Sequence, residues 1–282
     1  MKHCCKSALF AILMSMIATQ ASALYEYEEI NGICYSISFA DMTAEVSAFD
    51  AISGKYYSGN IVIPDSIVFE GKTFIVNSIG PSAFSGDHIE SVSIPETVTQ
   101  IEEQAFSFCV DLTSITIPNG VTYIGFYAFE CSGLVSLTIG DDVTLIDNKA
   151  FSSCNRLTTV TIGEKVKKIG KKAFEECRAI TQLTCKATTP PSCETDALSD
   201  INKDKCRLIV PKDCSFAYQH AIQWMDFNHI SEEYTAIQNV SMDHQDSIDM
   251  FINLNGFRTQ SPQKGINIVR IADGATRKVV QR

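Results

Sequence analysis

Eleven cysteines and five histidines carry the strongest metal, redox and nucleophilic chemistry in this 282-residue chain, and their spacing argues against each use. No Cys-x-x-Cys occurs, which weighs against a zinc site or a thioredoxin-like redox centre. His88, His220, His229 and His244 are scattered; no carboxylate pattern accompanies them, and they read as surface or cap residues. His-Glu-x-x-His, Gly-x-Ser-x-Gly and phosphate-loop motifs are absent. Glu102-Glu103 and Asp141-Asp142 are adjacent pairs, so their side chains diverge in extended chain instead of facing each other across a substrate. The chain reads as a non-enzyme that needs no cofactor and no metal.

Two groups are better suited to binding. GEKVKKIGKKAF carries Lys165, Lys167, Lys168, Lys171 and Lys172, while the matching stretch upstream carries Glu102 and Glu103. Such a gradient would steer an anionic partner, although a solvated lysine face accounts for it as simply. The other group is a pair of hydroxyl columns. One runs Ser91, Ser114, Ser136, Thr159, Gln182; its neighbour runs Ser93, Thr116, Thr138, Thr161, Thr184. A sheet face lined this way would hold a polypeptide or glycan through many weak hydrogen bonds. Against that, Ser and Thr suit any exposed strand, and no aromatic anchor sits among them.

Those columns exist only because the chain repeats itself. Ala-Phe recurs at Ala83-Phe84, Ala105-Phe106, Ala128-Phe129, Ala150-Phe151 and Ala173-Phe174, in steps of 22, 23, 22 and 23 residues. An isoleucine stands five residues before each Phe: Ile79, Ile101, Ile124, Ile146 and Ile169. An apolar-x-x-apolar-x-apolar block follows each of the first four pairs and ends in Pro or Gly, as in Leu112-Ile115-Ile117-Pro118 and Leu134-Leu137-Ile139-Gly140, and a weaker one, Ile180-Leu183-Cys185, follows the fifth. The alternation in SITIP and SLTIG is that of a short strand with one buried face. A unit this short cannot bury that face alone, so units must stack, with equivalent strands parallel and the phenylalanines in one spine. Degenerate copies at Ile61–Pro64 and Arg207–Pro211 flank the block, giving seven strand ends at Pro64, Pro95, Pro118, Gly140, Gly163, Lys186 and Pro211.

The pattern from Ala-Phe through Ile-x-Ile-Pro and Val-x-x-Ile-Gly resembles the leucine-rich repeats of BspA-like bacterial surface proteins, over about residues 60–231. Cys109, Cys131, Cys154 and Cys177 fall on that family's Cys/Asn column, with Cys131 one residue early. The resemblance implies a right-handed leucine-rich-repeat solenoid, with parallel β-strands on one side and an irregular or short-helical convex side. It implies an adhesin or interaction module, in some relatives toward host extracellular-matrix proteins, and it brings no catalytic residues. A structural or periplasmic assembly component is the alternative.

Around the repeats the sequence divides further. Residues 1–23 join Lys2 and Lys6 to an apolar run, Ala8 to Ala18, and end Ala21-Ser22-Ala23, the form of a secretory signal cleaved after Ala23. That run is too short to span a bilayer, so no transmembrane helix is expected. Residues 24–76 read as a β-rich cap with hairpins at Asn31-Gly32 and Glu70-Gly71, residues 77–200 as the repeats, and residues 201–233 as a C-terminal cap. In that cap a short helix and turn, with Trp224 as a plug, would close the far end. Residues 234–247 read as a linker and 248–282 as a small β tail, similar to the tails of exported proteins. A net charge of -10 argues against nucleic acid as a partner. Nine cysteines remain after cleavage; the repeat column reads as free thiols, while Cys185, Cys193, Cys206 and Cys214 form a group in which a disulfide is conceivable.

Overall fold

The structure, a computed structural model, describes residues 25–49 and 53–232 in full, and beyond them the backbone of four strands: Ile248–Asn253, Arg258–Thr259, Gly265–Ile271 and Thr276–Gln281. Residues 1–23, expected to be a signal, and 234–247, expected to be a linker, lie outside the described residues. The chain divides into two compact units at residues 232 and 233.

The first unit is a parallel-strand solenoid, and each coil contributes to two sheets. The front sheet has six parallel strands: Ser114–Ile117, Ser136–Ile139, Thr159–Ile162, Gln182–Cys185, Arg207–Val210 and His229–Glu232. Two earlier strands, Ser58–Val62 and His88–Ser93, pair in parallel as a separate ribbon. All seven expected strands are present. His229–Glu232 is an eighth, pairing Arg207 with His229 and Leu208 with Ile230 in a segment expected to be turn. Helix is confined, among the described residues, to the single turn Ser215–Tyr218.

The isoleucine before each Ala-Phe builds the second, back sheet. Ile79, Ile101, Ile124, Ile146 and Ile169 end short strands that pair coil to coil in strict register, continuing to Ser192–Cys193. At its other end this sheet runs into the cap: Lys72–Ile79 pairs in parallel with Thr43–Ser47, which is joined antiparallel to Ile33–Ser38 and then Tyr25–Ile30. Asn31-Gly32 and Glu70-Gly71 have positive φ at both residues, the twist a tight hairpin needs.

Between the sheets the five phenylalanines are fully buried and stacked, with ring centroids 5.1, 5.0, 5.1 and 5.3 Å apart along Phe84, Phe106, Phe129, Phe151 and Phe174. The alanine before each is fully buried too. Their turn is itself a ladder: Phe106 N–H donates to the Ala128 carbonyl, and Phe129 N–H to that of Ala150, both at 2.7 Å. To do this the chain holds a left-handed residue before each Ala (Ser82, Gln104, Tyr127, Lys149, Lys172) and another two after each Phe (Gly86, Phe108, Cys131, Ser153, Glu176).

Three residues after each Phe comes a further column: Asp87, Cys109, Ser132, Cys154 and Cys177. Cys131, assigned to it from sequence, is instead the half-buried left-handed residue of its turn, and Ser132 fills the site with its hydroxyl 3.3 Å from Cys154 Sγ. The thiols of Cys109, Cys154 and Cys177 donate to the carbonyls of Phe84, Phe129 and Phe151 at 3.0, 3.1 and 3.1 Å. A small side chain with one donor is what the site accepts. The eight cysteines from Cys109 to Cys214 are free thiols, so the bridge considered among Cys185, Cys193, Cys206 and Cys214 is not formed.

Asp87 is the misfit of that column. Burial raises its carboxyl from 3.8 to about 6, against a hydrogen bond from the Tyr57 backbone. A folded-state value above the unfolded one favours the protonated form. The stabilisation is therefore complete below the ordinary aspartate range and is lost as pH rises through about 6. Asp87→Asn, which keeps the shape without the charge, should stabilise the protein at neutral pH by about 1 kcal/mol, a figure discounted for the carboxyl's solvent contact. It should also flatten the stability slope between the two values. Urea melts across that window check both; an unchanged slope refutes the assignment.

The far end is closed by Trp224 and Tyr218, both fully buried. Trp224 Nε1 donates to the Pro191 carbonyl at 2.8 Å and Tyr218 Oη to that of Ala187 at 2.7 Å. The second unit is a four-stranded antiparallel sheet in the order 258–259, 248–253, 265–271, 276–281.

Candidate binding faces

Strand alternation sets the front face. In each repeat strand the second and fourth residues enter the core, as with Leu137 and Ile139, and the first and third point out. The parallel register then lines up Ser114, Ser136, Thr159 and Gln182 in one column and Thr116, Thr138, Thr161 and Thr184 in the next. Ser91 and Ser93 lie on the separate first ribbon, where Ser91 Oγ donates to Asn60 Oδ1 at 2.5 Å. All these residues are exposed except Thr161, which is half-buried, and Thr184, which is 8% exposed. The alternation pattern placed Thr184 on the open face. Its cross-strand neighbour is Ile209, where the hydroxyl column gives way to a branched apolar side chain, and the face closes there.

From Ser114 to Thr161 none of the column hydroxyls has a hydrogen-bond partner among the described residues. Other hydroxyls of the solenoid are committed: Thr99, Thr122 and Thr144 each donate to a carbonyl of the preceding coil at 3.1 Å. The first column also runs on through Arg207 and His229. These two, with Lys205, Asn228, Ile230 and Ser231, line a cleft of about 510 Å³. The sequence places Arg207 on a degenerate strand but not in the hydroxyl column, and His229 in a segment expected to be turn, so neither was expected on this face. The step of 22 residues from Arg207 to His229, which returns to the repeat period after a longer step of 25 from Gln182, was the available signal.

The five lysines are elsewhere. Lys168 lies in the back sheet, and the others occupy the turns around it, so the structure does not merge them with the hydroxyl columns. Three are paired: Lys165 with Asp142 at 2.6 Å, Lys168 with Glu194 at 2.5 Å and Lys172 with Glu175 at 2.5 Å. Each of the three ammonium groups is held above the usual lysine value by the hydrogen bond to its carboxylate. Of the five, Lys167 and Lys171 have no ion pair among the described residues. The basic patch is thus largely neutralised. The histidines have separate partners: His88 Nδ1 sits 2.8 Å from Asp111, and His220 Nδ1 2.8 Å from the Phe216 carbonyl. No grouping of His, Cys, Asp and Glu fit to hold a metal occurs among the described residues.

Residues 77–199 match the BspA type leucine rich repeat region in six copies. The repeat block is a BspA-type leucine-rich repeat region. Among solved structures the chain is similar to a leucine-rich repeat protein from Bacteroides ovatus, 21% identical over 65% of this chain and 59% of that one, with a TM-score of 0.44. It is also similar to a leucine rich cell surface protein from Faecalibacterium prausnitzii, 22% identical over 86% of this chain and 61% of that one, with a TM-score of 0.47. A third is the T. pallidum Leucine Rich Repeat protein, 25% identical over 56% and 71%, with a TM-score of 0.48. The chain spans about three fifths of the length of the first two. No curated protein sequence matches it. In BspA-type terms, the hydroxyl columns belong to the strand side of the repeats and the Ala-Phe turns to their stacked interior. Among the described residues no helix is long and apolar enough to cross a membrane.

Proposed function

We propose that this chain is an exported, surface-exposed leucine-rich-repeat protein whose front sheet binds another macromolecule in the manner of an adhesin, with host extracellular-matrix protein as the ligand class. One observation carries the reading: exposed hydroxyls stand in register on the front sheet, and those from Ser114 to Thr161 are uncommitted. Donors and acceptors repeating at strand spacing suit the periodic polar groups of an extended polypeptide. Arg207 and His229 at the end of the column favour an acidic segment there. Export is supported by the Lys-flanked apolar run and its Ala-x-Ala ending, and the surface reading by the BspA-type repeats.

The test is binding of purified protein to immobilised fibronectin, laminin and collagens, for the wild type and for Ser136→Arg/Thr138→Arg. Both positions are exposed, so the variant fills the face without entering the core. Affinity should fall about tenfold or more, and association of Lys167→Glu/Lys168→Glu should remain close to wild type because both lysines lie at the back sheet, away from the hydroxyl columns. Full binding by the double-arginine variant overturns the front-sheet reading, and failure to bind any matrix protein overturns the ligand class.

A further inference from the structure

The outer face of the N-terminal cap carries what the front sheet lacks, exposed aromatic rings over polar groups. Tyr25 and Tyr27 are two apart on strand Tyr25–Ile30 and so share one face, where they are 56% and 61% exposed. Strand register carries that face inward. Tyr25 stands opposite Ser38 and then Thr43; Tyr27 stands opposite Ser36, then Glu45, then Ser78. Together with Asp41 and Asn77 these residues line a cleft of about 370 Å³, within the range of roughly 300–1,000 Å³ for small-ligand sites.

The polar groups are set, and their capacity is not exhausted. Ser38 Oγ donates to Asp41 Oδ2 and Ser78 Oγ to Glu45 Oε2, both at 3.0 Å, which leaves the second oxygen of each carboxylate to accept from a ligand. Ser36 Oγ also lines the cleft, has no hydrogen-bond partner among the described residues and is open to solvent there, so it is available to a ligand.

The lining chooses the ligand chemistry. Two carboxylates with no Lys, Arg or His disfavour phosphate, sulfate and uronate groups. A purely apolar ligand would strand the hydroxyls and carboxylates away from water. Two phenol faces beside carboxylates and an amide suit a ligand with apolar C–H faces and neighbouring hydroxyl donors. We infer that this cleft binds a neutral hexose glycan, with Tyr25 and Tyr27 as the stacking platform and Asp41 and Glu45 as acceptors for vicinal hydroxyls. The site lies on the back-sheet side of the cap and does not depend on the front-sheet reading.

Saturation-transfer NMR with glucose, mannose and galactose oligosaccharides tests it on the purified protein. At least one series should receive saturation on its ring protons, with an affinity that stays constant between low and high salt. Tyr27→Ala should weaken that binding about tenfold, while Tyr27→Phe, which keeps the ring, should retain most of it. The front-sheet variant Ser136→Arg/Thr138→Arg should bind the sugar as the wild type does, which separates this site from the front-sheet one. Tyr25 and Tyr27 are outside the core, and an unchanged melting temperature will show that the variants fold. Absence of transfer from all three series overturns the inference, as does full binding by Tyr25→Ala/Tyr27→Ala. A preference for an oligolysine peptide that high salt abolishes also overturns it, reassigning the carboxylates to a basic polypeptide.

Discussion

Phe129→Ala should lower the unfolding free energy by about 3–5 kcal/mol, the cost of truncating a buried aromatic in a site that cannot collapse. Collapse is blocked by what surrounds the ring. Phe106 lies 5.0 Å away and Phe151 5.1 Å away, their planes within 6° and 9° of parallel. The backbone of the same turn is held on one side by the bond from Phe106 N–H to Ala128, and on the other by Phe129 N–H to Ala150. Neighbouring coils therefore keep their spacing when the ring is gone, and the void persists. Phe174→Ala should cost less than Phe129→Ala, because its other neighbour in the column is Leu198 in place of a sixth ring. Urea melts of the two variants give the comparison. A loss below about 1 kcal/mol at Phe129 would mean the spine is not a cooperative stack.

The repeat, its strands and the spine were legible because each is written in residue type at fixed spacing. The back sheet was half-written: the isoleucine column was visible, but two-residue strands such as Tyr123–Ile124 have too little alternation to announce themselves. The left-handed turn positions were invisible. Of the positions two after each Phe, only Gly86 is glycine; Phe108, Cys131, Ser153 and Glu176 adopt the same conformation without a residue that signals it. Local propensity there is overridden by the coil-to-coil ladder. His229–Glu232 was missed because one rung with a single apolar inward residue, Ile230, looks like loop until its neighbour Arg207–Val210 supplies the other half. Pairing partners, not strand sequence, made it a strand. At the candidate faces the columns could be read from the sequence. The neutralisation of Lys165, Lys168 and Lys172 could not, because their partners Asp142 and Glu194 are a coil away for two of the three.

Gly163→Ala should destabilise by about 1–3 kcal/mol through overpacking, although it adds a single methyl group. The glycine ends a front strand with ordinary backbone dihedrals, so conformational freedom is not why it is there. An added Cβ would sit 2.1 Å from the Gly140 carbonyl oxygen and 2.6 Å from its carbon, both backbone atoms of the preceding coil. No side-chain rotation relieves that contact, and the coils must separate. Gly140 faces the Pro118 carbonyl in the same way at 2.4 Å, so changing both glycines spreads the opening over two interfaces. Because a solenoid's stability is largely a sum of coil and interface energies, a widened interface should also weaken the coupling across it. Gly163→Ala should therefore lower the urea m-value or split the melt into two steps, whereas Phe129→Ala shifts the midpoint and leaves the slope intact. Equal slopes for the two variants, with Gly163→Ala within about 0.5 kcal/mol of wild type, would show that the coils can part at no cost and that glycine there is incidental.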